Sequence, residues 1–212
     1  AVLMGDVSNL FFAQRIKALE RALRRRNYQM LILDTEEDMD LEARAIRTAV
    51  SHQADGIILC PCQQTADNLR LLRRYGTPFV LLGRKFEGEK SDSVVWDDEM
   101  GGYLAARHLA DGGCRRVVFV NAPEHIYSAA RRRAGYERAM AEVGLPARTV
   151  TADALSGGVC RALAAMAREG AAYDGLFLFS DLMAMEAAGV LRRMDIGVPE
   201  TVKIAGFDDI LS

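Results

Sequence analysis

Residues 105–120 read AARHLADGGCRRVVFV. The first seven close a helical pattern that begins at Asp98. Gly112 and Gly113 then offer the left-handed residue that ends a helix without a Cβ penalty. In RVVFV the residues after Arg116 are an unbroken apolar run, which fits a parallel strand buried on both faces. Similar runs occur as GIILC (56–60), FVLL (79–82) and GLFLF (175–179).

Working outward, strands are expected at Ala1–Met4, Tyr28–Asp34, Asp55–Pro61, Thr77–Arg84, Ser93–Asp97, Arg115–Asn121, Arg148–Ala152, Gly175–Ser180 and Val202–Phe207. Helical patterns lie between them. In FFAQRIKALERALRRRN (11–27), Phe12, Ile16, Leu19 and Leu23 form one stripe, with Arg15, Lys17, Glu20 and Arg24 opposite. Ser8 or Asn9 would cap this helix and Asn27 would stop it. Further helices are expected near Asp40–Gln53, Asp67–Tyr75, Asp98–Asp111, Ala129–Val143, Gly157–Glu169 and Leu182–Met194, with Gly76, Gly144 and Gly170 as stops. The alternation predicts an α/β fold of two doubly wound parallel-sheet subdomains. The junction is expected at Asn121–Glu124, giving residues 1–121 and 122–212. An eight-fold barrel is disfavoured because that fold typically takes ~250 residues.

Composition narrows function. The chain has 212 residues, half of them hydrophobic and 26% charged, with net charge −2. No basic stripe is available to neutralise phosphates, so these residues make a poor DNA-binding surface. No apolar run could span a bilayer, and no signal-peptide pattern appears. Cys60, Cys62, Cys114 and Cys160 have neither disulfide-framework nor zinc spacing, and read as buried or half-buried free thiols in a reducing compartment. His52, His108 and His125 fall on separate elements. No nucleophile elbow, phosphate loop or metal spacing is present, and no cofactor is implied.

The ordered motifs carry a resemblance. VSNLFF (7–12), ADGIIL (54–59), TPFVLLGR (77–84), SVVWDDEMGG (93–102), the opening stretch, RRRAGYERAM (131–140), LFLFSDLMAMEAAGVLRRMDIGVPETV (176–202) and KIAGFDDI (203–210) follow one another in family order. Together they resemble the effector-binding domain of the lactose-repressor family of bacterial transcription regulators, which is periplasmic-binding-protein-like. VPETVKIAGFDDI and the ARHL-x-x-GG-x-RR stretch favour the regulators over transporter-linked periplasmic sugar-binding proteins. The resemblance implies a sugar or related effector in a cleft between subdomains, no membrane, a cytoplasmic homodimer, and operator DNA bound through a helix-turn-helix headpiece absent from these residues. It also implies that a C-terminal portion is absent, leaving an uncovered sheet edge close to Ser212.

Candidate ligand residues fall at the carboxyl ends of strands, where such sheets open a crevice. Phe11 and Phe12 could stack on a sugar face, although Phe12 also fits the core stripe. Asn9 is first a helix cap and second a pocket amide. Arg84 ends the fourth strand; the family often has an Asp-Arg pair there, and here Gly83 replaces the Asp. By resemblance the ligand arginine is Arg132, whose rigid fork can clamp hydroxyls or a carboxylate. It has no nearby partner in sequence, so its loss should abolish ligand response without unfolding. Ser180 stands where the family often has a ligand-binding Asn, and Asp181 reads as the helix cap. Asp208 is implied to face the ligand. Asp97 and Asp98 read as a turn residue and a cap. A transporter-linked sugar-binding protein and a carbohydrate-active enzyme are the alternative functions.

Overall fold

The computed structural model describes residues 1–153 and 157–210. Two compact units divide between Trp96 and Asp97, and each has its own parallel sheet.

Unit 1 contains β1 (Val2–Met4), α1 (Leu10–Arg24), β2 (Ile32–Asp34), α2 (Met39–Ser51), β3 (Ile57–Leu59), α3 (Asp67–Tyr75), β4 (Phe79–Leu82) and β5 (Ser93–Val94). Its sheet order is β2-β1-β3-β4-β5, every pairing parallel. Alternate strand residues face opposite helix layers. Leu3, Ile57, Leu59 and Leu81 pack with Ala45, Ile46, Leu69 and Leu72 of α2 and α3. On the other face Val2, Met4 and Cys60 meet Phe12, Ile16 and Leu19 of α1. The four-residue α1 stripe is thus seated through its first three members, and Asn27 takes a left-handed φ of 62° beyond the helix.

Unit 2 contains α4 (Asp98–Asp111), β6 (Val117–Asn121), α5 (Tyr127–Glu142), β7 (Arg148–Thr151), α6 (Gly158–Arg168), β8 (Gly175–Leu178), α7 (Asp181–Arg193) and β9 (Lys203–Ala205). The order is β7-β6-β8-β9, again all parallel. Val118, Val120, Leu176 and Leu178 face α6 and α7. Val117, Phe119 and Phe177 face α4 and α5, with the two phenyl rings stacked 4.2 Å apart. The expected doubly wound pair of sheets is therefore present, in strands shorter than the apolar runs. β4, for example, stops at Leu82 because Gly83 turns to a φ of 77°.

The junction expected at Asn121–Glu124 is displaced. β6 pairs with β7 and β8, so it belongs to the second sheet together with the preceding α4. The NAPE segment is merely a strand-to-helix loop inside unit 2. The sheet edge expected close to Ser212 falls on residues 211–212, outside the described residues.

Candidate functional site

In an open parallel sheet the ligand end lies beyond the strand carboxyl ends, at the point where the order reverses. In unit 1 that point is between β1 and β3, and in unit 2 between β6 and β8. The candidate residues group accordingly within each unit.

In unit 1, Asn9 caps α1 by accepting from Phe11 N at 3.0 Å. The two phenylalanines separate in role. Phe12 packs into the sheet core, whereas Phe11 meets Trp96 edge-on at 5.3 Å and carries the Arg15 guanidinium 3.8 Å above its ring. Trp96 was not among the sequence candidates. Its ring also explains the glycine at 83, where a Cβ would lie 2.4 Å from Trp96 Cζ3. Arg84 is buried, with its fork closed on Glu37 at 2.6 and 2.8 Å and a further bond to Pro61 O at 3.1 Å.

Beneath this pair sits Glu42, fully enclosed, accepting from Cys62 N at 2.5 Å and Asn68 Nδ2 at 2.9 Å. Burial pushes its pKa up to about 7, against the lowering effect of those two hydrogen bonds. A raised acid pKa means the folded state holds a proton that the unfolded chain has released. The resulting stability is complete below the unfolded value near 4.5 and is lost as pH rises through about 7. The whole effect is about 3 kcal/mol. Thermal melts between pH 5 and 8 should therefore fall with pH in the wild type, and less steeply in Glu42→Gln; parallel curves would contradict this. Burial likewise pushes the Cys60 and Cys62 thiols up to about 11, so both remain protonated and unreactive. Cys114 is buried as expected, whereas Cys160 is exposed rather than half-buried.

In unit 2, Arg132 occupies the centre. Its Nε donates to Asp98 Oδ1 at 2.9 Å, its Nη1 donates to Phe179 O and lies 3.8 Å from Asp208 Oδ1. The rings of Phe207 and Phe179 lie 3.5 and 4.4 Å from its Cζ. Side-chain exposure is 5% for Arg132 and 0% for Asp98. The expectation that Arg132 lacks a structural partner is thus wrong: Asp98, 34 residues earlier, is that partner. Asp97, not Asp98, caps α4, by accepting from Met100 N. The next cap is also reassigned. Ser180 accepts from Met183 N at 3.3 Å and so caps α7, a role expected of Asp181. The strand geometry decides this, because Ser180 is still extended (φ −142°) while Asp181 has entered the helix. Asp208 adopts a φ of 106°, a backbone strain of the kind that clusters at binding sites.

Phe11 and Arg84 thus fall beyond the carboxyl end of one sheet, and Arg132, Ser180 and Asp208 beyond that of the other. Glu37 and Trp96 escaped sequence reasoning, and Asp98 was read only as a helix cap, not as the partner of Arg132. The only available signal was for Trp96, an aromatic just beyond a strand end. A separate hollow of about 860 Å³ in unit 1, lined by Leu23, Tyr28, His52, Gly56 and Phe79 among others, lies at the strand amino ends. That is the wrong end of the sheet for the ligand. Among the described residues no three or more His, Cys, Asp or Glu side chains group so as to hold a metal ion, and no helix is long and apolar enough to cross a membrane.

Residues 1–207 match the family described as periplasmic binding proteins and sugar binding domain of LacI family. The HTH-type transcriptional regulator GalR of Salmonella typhimurium is 30% identical over 213 residues, covering 99% of this chain and 62% of the regulator. The chain thus spans less than two thirds of that relative. Among solved structures, a LacI-family transcriptional regulator from Burkholderia phymatum superposes with a TM-score of 0.90 at 22% identity, over 99% of this chain and 78% of that one. A LacI-family regulator from Enterococcus faecium with bound ribose gives 0.83 at 26% identity, over 99% and 77%.

Proposed function

Because the chain belongs to the family of periplasmic binding proteins and LacI-type sugar-binding domains, we propose that it is the effector-sensing part of a bacterial transcription regulator. Its ligand is a sugar or related small polar compound. Asn9, Phe11, Phe12, Arg84, Arg132, Ser180 and Asp208 are the residues proposed to surround it, with Phe12 and Ser180 acting mainly as support. The carrying observation is chemical. Beyond the carboxyl end of each sheet stand a buried arginine paired with a carboxylate and a pair of aromatic rings, Phe11 with Trp96 in unit 1 and Phe179 with Phe207 in unit 2. Rings that cover apolar sugar faces and forks that take hydroxyls are what carbohydrate recognition requires.

The effector acts by population shift: it favours whichever conformation binds it more tightly, by the difference in affinity and no more. In the full-length regulator, a cytoplasmic homodimer, that shift would change operator affinity through a DNA-binding headpiece. Reciprocity then requires operator DNA to change effector affinity by the same factor. The curated relatives are regulators, which favours this reading over a transporter component or a carbohydrate-active enzyme.

A thermal-shift screen of sugars, sugar derivatives and nucleosides on the full-length protein tests the reading. A ligand at 100 times its Kd should add about 2.7 kcal/mol. Operator affinity should then move with that ligand. Turnover of a sugar, or stabilisation without any effect on operator binding, would overturn the regulator assignment.

A further inference from the structure

The loop after β2 is built around one side chain. Thr35 fixes its start, its N–H and hydroxyl both donating to Met4 O at 2.8 and 3.1 Å. Glu36 and Glu37 then adopt φ values of 49° and 55°, left-handed conformations that residues other than glycine rarely take. Asp38 closes the loop by capping α2. The Cys62 thiol donates to Glu37 O at 2.8 Å, tying the same backbone to the end of β3. This strained turn brings the Glu37 carboxylate over the carboxyl end of β1. A Cβ on Gly5 would lie 2.3 Å from Glu37 Oε1, so glycine is what leaves room for it. The carboxylate therefore stands at the order reversal between β1 and β3.

There it meets the Arg84 fork oxygen by oxygen. Arg84 is 10% exposed and Glu37 29%, so the carboxylate is the member of the pair that faces outward. An ionised carboxylate has about four lone-pair sites, and the fork uses two. What this end of unit 1 offers a ligand is thus hydrogen-bond acceptors beside a guanidinium whose charge is already compensated. Unit 2 shows the same compensation independently, since Arg132 has Asp98 and Asp208 beside it.

We propose that Glu37 is a specificity-determining residue: by closing the Arg84 fork it selects a neutral polyhydroxyl effector over a carboxylate or phosphate. The inference rests on the effector-binding reading above and sharpens it. A neutral sugar donates its hydroxyls to the outer lone pairs of Glu37. An acidic analogue would have to displace Glu37 from Arg84 or lie against it, and like charges at close range repel.

The test uses matched pairs, a neutral sugar with its uronic acid and its 6-phosphate, titrated calorimetrically into the full-length protein. The wild type should prefer the neutral member. Glu37→Gln keeps the shape and uncovers the Arg84 charge, and should move the ratio of the two Kd values at least tenfold toward the acidic member. Glu37→Asp should retain the wild-type preference. If Glu37→Gln does not fold, Glu37→Gln/Arg84→Gln removes both charges together; it should weaken the neutral member at least tenfold without improving the acidic one. A wild type that prefers the acidic member, or a Glu37→Gln ratio equal to the wild type's, overturns this proposal alone. A wild type that binds no member of any pair overturns the effector-binding reading and this proposal with it.

Discussion

Arg132→Ala is expected to destabilise unit 2 by about 3–5 kcal/mol, the range for removing one partner of a buried ion pair. The reason is Asp98, whose side chain is completely enclosed. Once the guanidinium is gone, that carboxylate must either stay charged in a low-dielectric site or take up a proton, and both are costly. The two phenyl rings against the guanidinium add to the loss, since a desolvated cation–π contact is worth about 2 kcal/mol. A typical domain has only about 5–15 kcal/mol to lose, so this variant should be marginal and its ligand binding uninformative. Urea denaturation followed by circular dichroism measures the effect. Arg132→Met/Asp98→Leu is the companion variant, because replacing both members with apolar groups removes the fully enclosed charge and gives up, at Asp208, only the longer 3.8 Å contact. It should recover most of the stability while still failing to respond to effector. An Arg132→Ala midpoint equal to the wild type's would show that the pair holds nothing together.

That prediction reverses the one the sequence suggested, and the reason is general. Strands were legible because an apolar run such as RVVFV or GLFLF satisfies a local rule, and helix ends were legible because Gly76, Gly144 and Gly170 meet a local backbone need. Family membership was legible because many short motifs kept their order. The partners of the two central arginines were not. Asp98 lies 34 residues from Arg132, and Glu37 lies 47 from Arg84. Nothing in the spacing of Glu36-Glu37-Asp38 shows which carboxylate folds back over Gly5. Neighbouring cap candidates were also confused with one another. Asp97 and Asp98, and Ser180 and Asp181, can each cap a helix, and only the residue at which the backbone turns helical decides. The unit boundary was misplaced for a related reason. β6 is as apolar as the strands of unit 1, and periodicity does not say which sheet a buried strand joins.

Gly135→Ala is expected to cost about 3 kcal/mol or more, although alanine is the better helix former by about 1 kcal/mol. Gly135 lies within α5 where it crosses α4. A Cβ there would stand 1.9 Å from Glu99 O and 2.6 Å from Tyr103 N, both backbone atoms of α4. The reciprocal contact is equally close, since a Cβ on Gly102 would lie 2.2 Å from Arg132 O. Backbone cannot rotate aside as a side chain can, so the helices must separate by roughly 1.5 Å to reach ordinary contact distance. Overpacking of this sort costs about 1–3 kcal/mol by itself. The further cost arises because Asp98 opens α4 and Arg132 lies on α5, so moving the helices apart lengthens their 2.9 Å bond. The close crossing is therefore what delivers the carboxylate to the guanidinium, and a methyl group at 135 should weaken unit 2 and effector binding together. Gly189→Ala in α7 is the control, because the nearest atom to its Cβ is the mobile Arg193 Nη1 at 3.6 Å. That variant should gain about 0.4–1 kcal/mol. Equal denaturation midpoints for the two variants would mean that the α4–α5 crossing yields easily and does not hold Arg132 in place.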